Sequence, residues 1–242
     1  MSRTEQGVPQ LPLALRYPPD QRLDAFVRAP VGALEQLRAL AEETPTGSPV
    51  SAPDALYVAG PAGVGKTHLL LATCAAADAA GRRAAYLPLV AAAGRLRDAL
   101  QALEGNDLIA LDGLDVIAGN REDEVALFDA HNRARAAGVA LVYAAREIPD
   151  ALGLALPDLR SRLGQCTRIT LAPLDDDGRR EVLQQRAQRR GLVLEDAALD
   201  WLLRRVGRDL TGMTALLDKL DRASLAAQRR VTVPFLKQTL GL

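Results

Sequence analysis

Residues 60 to 67 read GPAGVGKT, set between the apolar run LYVA and the helix-forming stretch THLLLATCAAA. The setting matters more than the bare pattern G-x-x-x-x-G-K-S/T. A strand that stops at a glycine turn and restarts as a helix aims successive backbone N–H groups and a helix N-terminus at one point. Gly60, Gly63 and Gly65 permit the positive dihedrals and close approach that such a turn needs. Lys66 adds a mobile positive charge, and Thr67 offers its hydroxyl to a divalent cation. The segment Gly60, Pro61, Ala62, Gly63, Val64, Gly65, Lys66 and Thr67, with His68 behind it, is therefore the candidate phosphate-binding loop.

Such a loop demands a parallel sheet around it, and the rest of the chain is written for one. From residue 55 short apolar runs alternate with longer amphipathic ones, the pattern of strands joined by crossover helices. Strands are expected near Leu56 to Ala59, Ala84 to Leu87, Leu108 to Leu111, Ala140 to Ala144 and Arg168 to Leu171, five in all. After Pro173 the strand signal ends. Segments 176–191, 195–206, 210–228 and 233–240 read as helices, with Gly191 and Gly207 as stops, which gives an α/β unit followed by a small all-α one.

The region before residue 54 is different: it holds eight of the 14 prolines and breaks into a tail, a short helix and a loop. The helix falls in APVGALEQLRALAEE, where Val31, Leu34, Leu37 and Leu40 have helical spacing. In the tail, QLPLAL alternates Leu11, Leu13 and Leu15. An extended segment of that kind lays its leucines into a partner's apolar groove, with Gln10 adding a polar contact, or folds back as an edge strand on its own domain.

Charge narrows the function. The 30 basic and 30 acidic side chains cancel, so no overall field holds nucleic acid or an anionic membrane. No apolar run approaches a bilayer-spanning length and no secretory core is present, so a cytoplasmic location is expected. Cys74 and Cys166 lack metal-ligand spacing, and His68 and His131 stand alone, so no zinc or histidine-based site is expected.

The cation bound beside Thr67 needs an acid at the end of a neighbouring strand, and Asp112, closing the run DLIALD, is that residue. In a hydrolysing enzyme of this type a second acid normally follows and positions the attacking water. Here Gly113 follows. Asp115 comes three positions after Asp112, where a cap or solvated carboxylate competes with a catalytic base. Binding is thus better supported than hydrolysis.

With these features in place the chain resembles the AAA+ family of the replication initiator DnaA. The resemblance runs over nearly the whole chain, through QLPLAL, GPAGVGKTHLL, LIALDGLDVIAGNREDEVALFDAHNR, LALPDLRSRL and LDKLDRASLAAQRRVTVPFLKQTL. It implies a P-loop AAA+ module with a parallel five-stranded sheet and a helical lid: a tail over 1–20, the α/β subdomain over 21–174 and the lid over 175–242. DnaA itself continues into a DNA-binding domain, whereas this chain stops at Leu242, so direct sequence-specific DNA binding is not expected.

The resemblance also implies partners. Regulatory members of the family bind the DNA polymerase sliding clamp through a Q-L-S/P-L-P-L motif, which Gln10, Leu11, Leu13 and Leu15 fit, with Ala14 in place of proline. The family places a trans-acting arginine finger in an S-R-L/F segment, hence at Arg162, with Arg160 as competitor. Two sensor positions depart from the family. The fourth strand ends in Ala145 and Arg146 instead of a polar sensor, and the lid arginine falls at Thr211, with Arg208 nearby. The implied protein is an adaptor that binds the clamp, stimulates hydrolysis of ATP on DnaA and so prevents re-initiation. Its own ligands would be ADP or ATP with Mg²⁺, ADP at rest, and homo-oligomerisation stays open. Two rivals stay open too: an autonomous AAA+ ATPase such as a helicase loader or clamp-loader-like protein, and a DNA-binding initiator fragment.

Overall fold

The structure, a computed structural model, describes residues 21–42, 54–189, 191–205, 220 and 232–240. Five strands form one parallel sheet: β1 (Ala55–Ala59), β2 (Ala84–Pro88), β3 (Leu108–Asp112), β4 (Ala140–Ala145) and β5 (Thr167–Thr170). Their order is β2-β3-β4-β1-β5, which leaves β1 and β4 central. Every residue of both is buried, as expected of strands covered on both faces by crossover helices. The register pairs Tyr57 with Tyr143 across β1 and β4 and Ala110 with Val142 across β3 and β4.

Alternate side chains divide the core in two. Leu56, Val58, Ala110, Val142 and Ile169 pack with α1 (Ala33–Glu42) and α2 (Lys66–Ala79) on one face. Tyr57, Leu111, Leu141 and Tyr143 pack with α3 (Leu96–Gln101), α4 (Arg121–Ala136) and α5 (Pro157–Gly164) on the other. All five expected strands are present, with shifts of a residue at some ends. The helix expected around Val31 starts later, at Ala33. Leu37 and Leu40 are buried as its spacing requires, while Val31 lies before the helix and is fully exposed.

Buried charges stitch the layers together, each with partners that offset its desolvation. Arg82 donates to the carbonyls of Leu40 and Ala41, which end α1, and to that of Asp107. Glu124, in the first turn of α4, is wholly buried and accepts from the backbone N–H groups of Gly119, Ala155 and Leu156. It thereby fixes the loop that enters α5. The lid follows as α6 (Asp176–Arg189), α7 (Asp196–Arg205) and α8 (Val233–Leu240), around a separate core of Leu183, Leu199, Trp201, Leu202, Leu220 and Leu236. The segment 210–228, read from sequence as helix, lies outside the described residues apart from Leu220.

Cys74 is buried and Cys166 half-buried, and no group of three metal-ligating side chains occurs among the described residues. His131 is buried, with Nδ1 2.8 Å from the Tyr143 hydroxyl. Burial pushes its pKa down from 6.5 to about 4, and the nearby charges of Arg135 and Arg162 act in the same direction. The unfolded chain therefore takes up a proton that the folded imidazole refuses. Stability contributed this way is complete above about pH 6.5 and declines as pH falls towards 4, by up to about 3 kcal/mol. Chemical denaturation across that window should show a shallower pH slope for His131→Phe than for the parent chain; equal slopes would contradict the assignment.

Candidate functional site

Strand β1 ends against its neighbours before it turns. Gly60 N–H donates to Ala145 O at 3.2 Å, and Leu171 N–H donates to Ala59 O at 2.8 Å, so the loop leaves the sheet at a fixed point between β4 and β5. A Cβ on Gly60 would lie 2.5 Å from Leu171 O, so no side chain fits there. Gly63 and Gly65 have φ of +78° and +101°. Gly65 occupies the cap position of α2 and supplies no side-chain acceptor, which leaves the first N–H groups of the helix directed at the loop's hollow.

Lys66 folds back over this hollow. Its Nζ donates to Gly60 O at 2.6 Å and Pro61 O at 2.7 Å. Desolvation lowers its pKa, opposed by Asp115 and Asp112 and reinforced by Arg146, so four charged groups converge on the loop. Pro61 and Ala62 are exposed at its tip, while Val64 and His68 are buried beneath it.

The acid side of the site is built from β3. Asp112 Oδ2 accepts from Thr67 Oγ1 at 2.6 Å and from the Tyr86 hydroxyl at 2.9 Å. Tyr86 stands on β2 and had no signal in the sequence; burial and the adjacent Asp112 raise its pKa, which keeps it a neutral donor. The joined oxygens of Thr67 and Asp112, beside an uncapped helix start and an ammonium, fit a diphosphate with Mg²⁺. Thr67 and Asp112 would hold the cation, and the loop amides and Lys66 the phosphate oxygens.

The next residue, a glycine, offers no carboxylate. Gly113 sits at φ +86°, and its N–H donates to Ala144 O at 2.9 Å. Asp115 is engaged elsewhere: Oδ1 accepts from the Arg146 N–H at 2.6 Å and ties the ends of β3 and β4 together. The Arg146 side chain is exposed at that same edge.

Beside the loop lies a cavity of about 340 Å³, lined by Phe26, Val64, His68, Leu171, Pro173 and Arg186 among others. Its size and half-apolar wall suit a nucleoside. Phe26 and His68 meet at 5.6 Å between ring centroids, and His68 Nε2 lies 3.1 Å from Arg22 O. Sequence reading included His68 but missed the wall contributed by residues 25–30, where no motif marks them.

Arg162 lies on α5, anchored by the buried Leu159 and Leu163. Arg160 is exposed and Arg162 half-buried, and no carboxylate of the described residues forms a salt bridge with either. Gln10, Leu11, Leu13 and Leu15 of the tail, together with Arg208 and Thr211, lie outside the described residues.

Comparison with known proteins gives this geometry a context. Residues 176–240 match the family described as "Hda, lid domain", and residues 56–170 match the ATPase family associated with various cellular activities (AAA). An uncharacterised protein of Haemophilus influenzae is 41% identical over 187 residues, covering 77% of this chain and 81% of that protein. Domain III of the Thermotoga maritima replication initiation protein DnaA superposes with a TM-score of 0.74 at 19% identity, over 93% of this chain and 97% of that one. AMPPCP-bound DnaA from Aquifex aeolicus gives 0.69 at 20% identity, over 86% and 67% of the two chains. The RuvB Holliday junction branch migration motor of T. maritima gives 0.64 at 20%, over 93% and 72%.

The glycines separate two costs. Gly113→Ala meets nothing closer than Val116 Cγ2 at 3.9 Å and should lose only the left-handed penalty of about 1–2 kcal/mol. Gly60→Ala collides with backbone and should lose roughly 1–3 kcal/mol more. Equal denaturation midpoints for the two variants would contradict the geometry.

Proposed function

The chain belongs to the DnaA-related AAA+ proteins, with a lid of the Hda type, and from that membership we propose that it is a nucleotide-binding regulatory adaptor acting on DnaA. In this reading the tail residues Gln10, Leu11, Leu13 and Leu15 bind the DNA polymerase sliding clamp, the AAA+ module holds ADP with Mg²⁺ at rest, and Arg162 is presented to ATP on DnaA. Hydrolysis takes place in the partner's site, converts the initiator to its ADP form and prevents a second round of initiation. The protein acts in the cytoplasm, as a DnaA regulatory inactivator of the Hda kind.

One observation carries the proposal: the parts that grip a nucleotide are assembled, while the position that would activate water holds a glycine. The Thr67–Asp112 contact and the Lys66 cradle support binding. Gly113, left-handed and hydrogen-bonded into the end of β4, supports weak turnover at the chain's own site. An arginine with no carboxylate partner among the described residues suits a role in trans, because a guanidinium reaching a neighbour's γ-phosphate neutralises charge that builds up there during transfer.

A second reading, an autonomous AAA+ ATPase of the helicase-loader or clamp-loader kind, draws on Asp115, whose charge is felt at Lys66. Its engagement with the Arg146 N–H counts against a role as base.

Stimulation of DnaA-bound ATP hydrolysis, measured with clamp loaded on DNA, should fall by about 10³-fold or more in Arg162→Ala with ADP binding intact. Full stimulation by that variant would refute the finger. Changing Leu13 and Leu15 together to Ala should abolish capture of the clamp in a pull-down, and retained capture would refute the tail assignment.

A further inference from the structure

Residues 22–30 run across the mouth of the nucleoside cavity and touch three bodies at once. Phe26 lies over the phosphate loop so closely that a Cβ on Gly65 would fall 2.7 Å from its ring. The Arg22 carbonyl lies 3.1 Å from His68 Nε2 on α2. On the opposite side the segment is tied to the lid. Arg28 Nη1 donates to Asp175 Oδ1 at 2.7 Å and Arg28 Nε to Glu181 Oε2 at 3.2 Å, and Arg189 Nη2 at the far end of α6 donates to Asp24 O at 3.1 Å.

The Arg28 contact is prepared from both sides. Asp175 also accepts the Gly178 N–H at 2.7 Å, which fixes its carboxylate at the start of α6. Gly178 leaves room for the arginine's stem, since a Cβ there would lie 3.3 Å from Arg28 Cδ. Arg28 itself is left-handed at φ +53°, a conformation that an arginine holds only when its surroundings impose it.

Exposed ion pairs add little to stability, and these are exposed. Their place gives them another effect. The cavity has residues 25–30 as one wall and Leu174, Asp175, Val182 and Arg186 as another, so parting the two widens the way out for a bound nucleoside. We propose that residues 22–30 form a strap whose Arg28 latches the lid over the nucleotide and sets the rate of nucleotide exchange. The proposal rests on the nucleotide-binding reading given above.

Stopped-flow release of the fluorescent nucleotide mant-ADP from the full chain tests it. Arg28→Ala should release about five-fold faster or more. Arg28→Gly, which suits the backbone but deletes the arm, should match it. Glu181→Ala should also be faster, and adding it to Arg28→Ala should bring no further acceleration. Raising the salt concentration should speed the parent chain towards the variants. Hydrogen exchange should show faster exchange in α6 of Arg28→Ala without nucleotide. Unchanged release, or strictly additive effects of the two substitutions, would overturn the latch. Failure of the parent chain to bind mant-ADP would instead refute the nucleotide reading, and the α6 exchange comparison would still decide the latch.

Discussion

Everything in the α/β unit depends on how β1 is stopped. Its five residues are buried on both faces, so it cannot fray, and its exit is pinned by hydrogen bonds to β4 and to the residue after β5. Close contact with Leu171 O forces a glycine at residue 60, and left-handed glycines at 63 and 65 bend the chain into α2. A hollow faced by backbone N–H groups is the direct consequence, a shape that suits phosphate oxygens. Lys66, held on the loop's carbonyls, waits over the same hollow.

From that fixed point the sheet order decides which chemistry can reach the phosphates. Strand β4 lies between β1 and β3, so the ends of β3 and β4 both face the loop. Asp112 at the end of β3 reaches Thr67. Beyond it, Gly113 turns the backbone back towards Ala144, and Asp115 and the Arg146 N–H close the edge. These hydrogen bonds tie the ends of β3 and β4 to each other. In one short segment the carboxylate that reaches Thr67 is thus followed by a glycine.

The sheet was legible because parallel strands buried on both faces appear as short apolar runs, and the phosphate loop because its glycines and lysine are spaced by the turn itself. Asp112 and Gly113 could be read for the same reason, each being fixed by the end of β3. Tyr86, Phe26 and Arg28 could not. Tyr86 acts through a contact between strands 26 residues apart in sequence, and the strap's residues acquire meaning only when the lid packs against them. Val31 illustrates the reverse error: helical spacing counted it into a helix that begins two residues later, so it stayed exposed. Glu124 and Arg82 resemble surface charges in sequence, and only the fold reveals the carbonyls and amides that justify their burial.

On the proposed function, the nucleotide site holds its ligand without cutting it. Phosphate release from ATP by the purified chain alone, with neither clamp nor initiator present, tests it most directly. The account predicts release at a level that Lys66→Ala leaves unchanged, with ADP recovered tightly bound to the parent chain. Sustained turnover that disappears on changing Lys66 would contradict it.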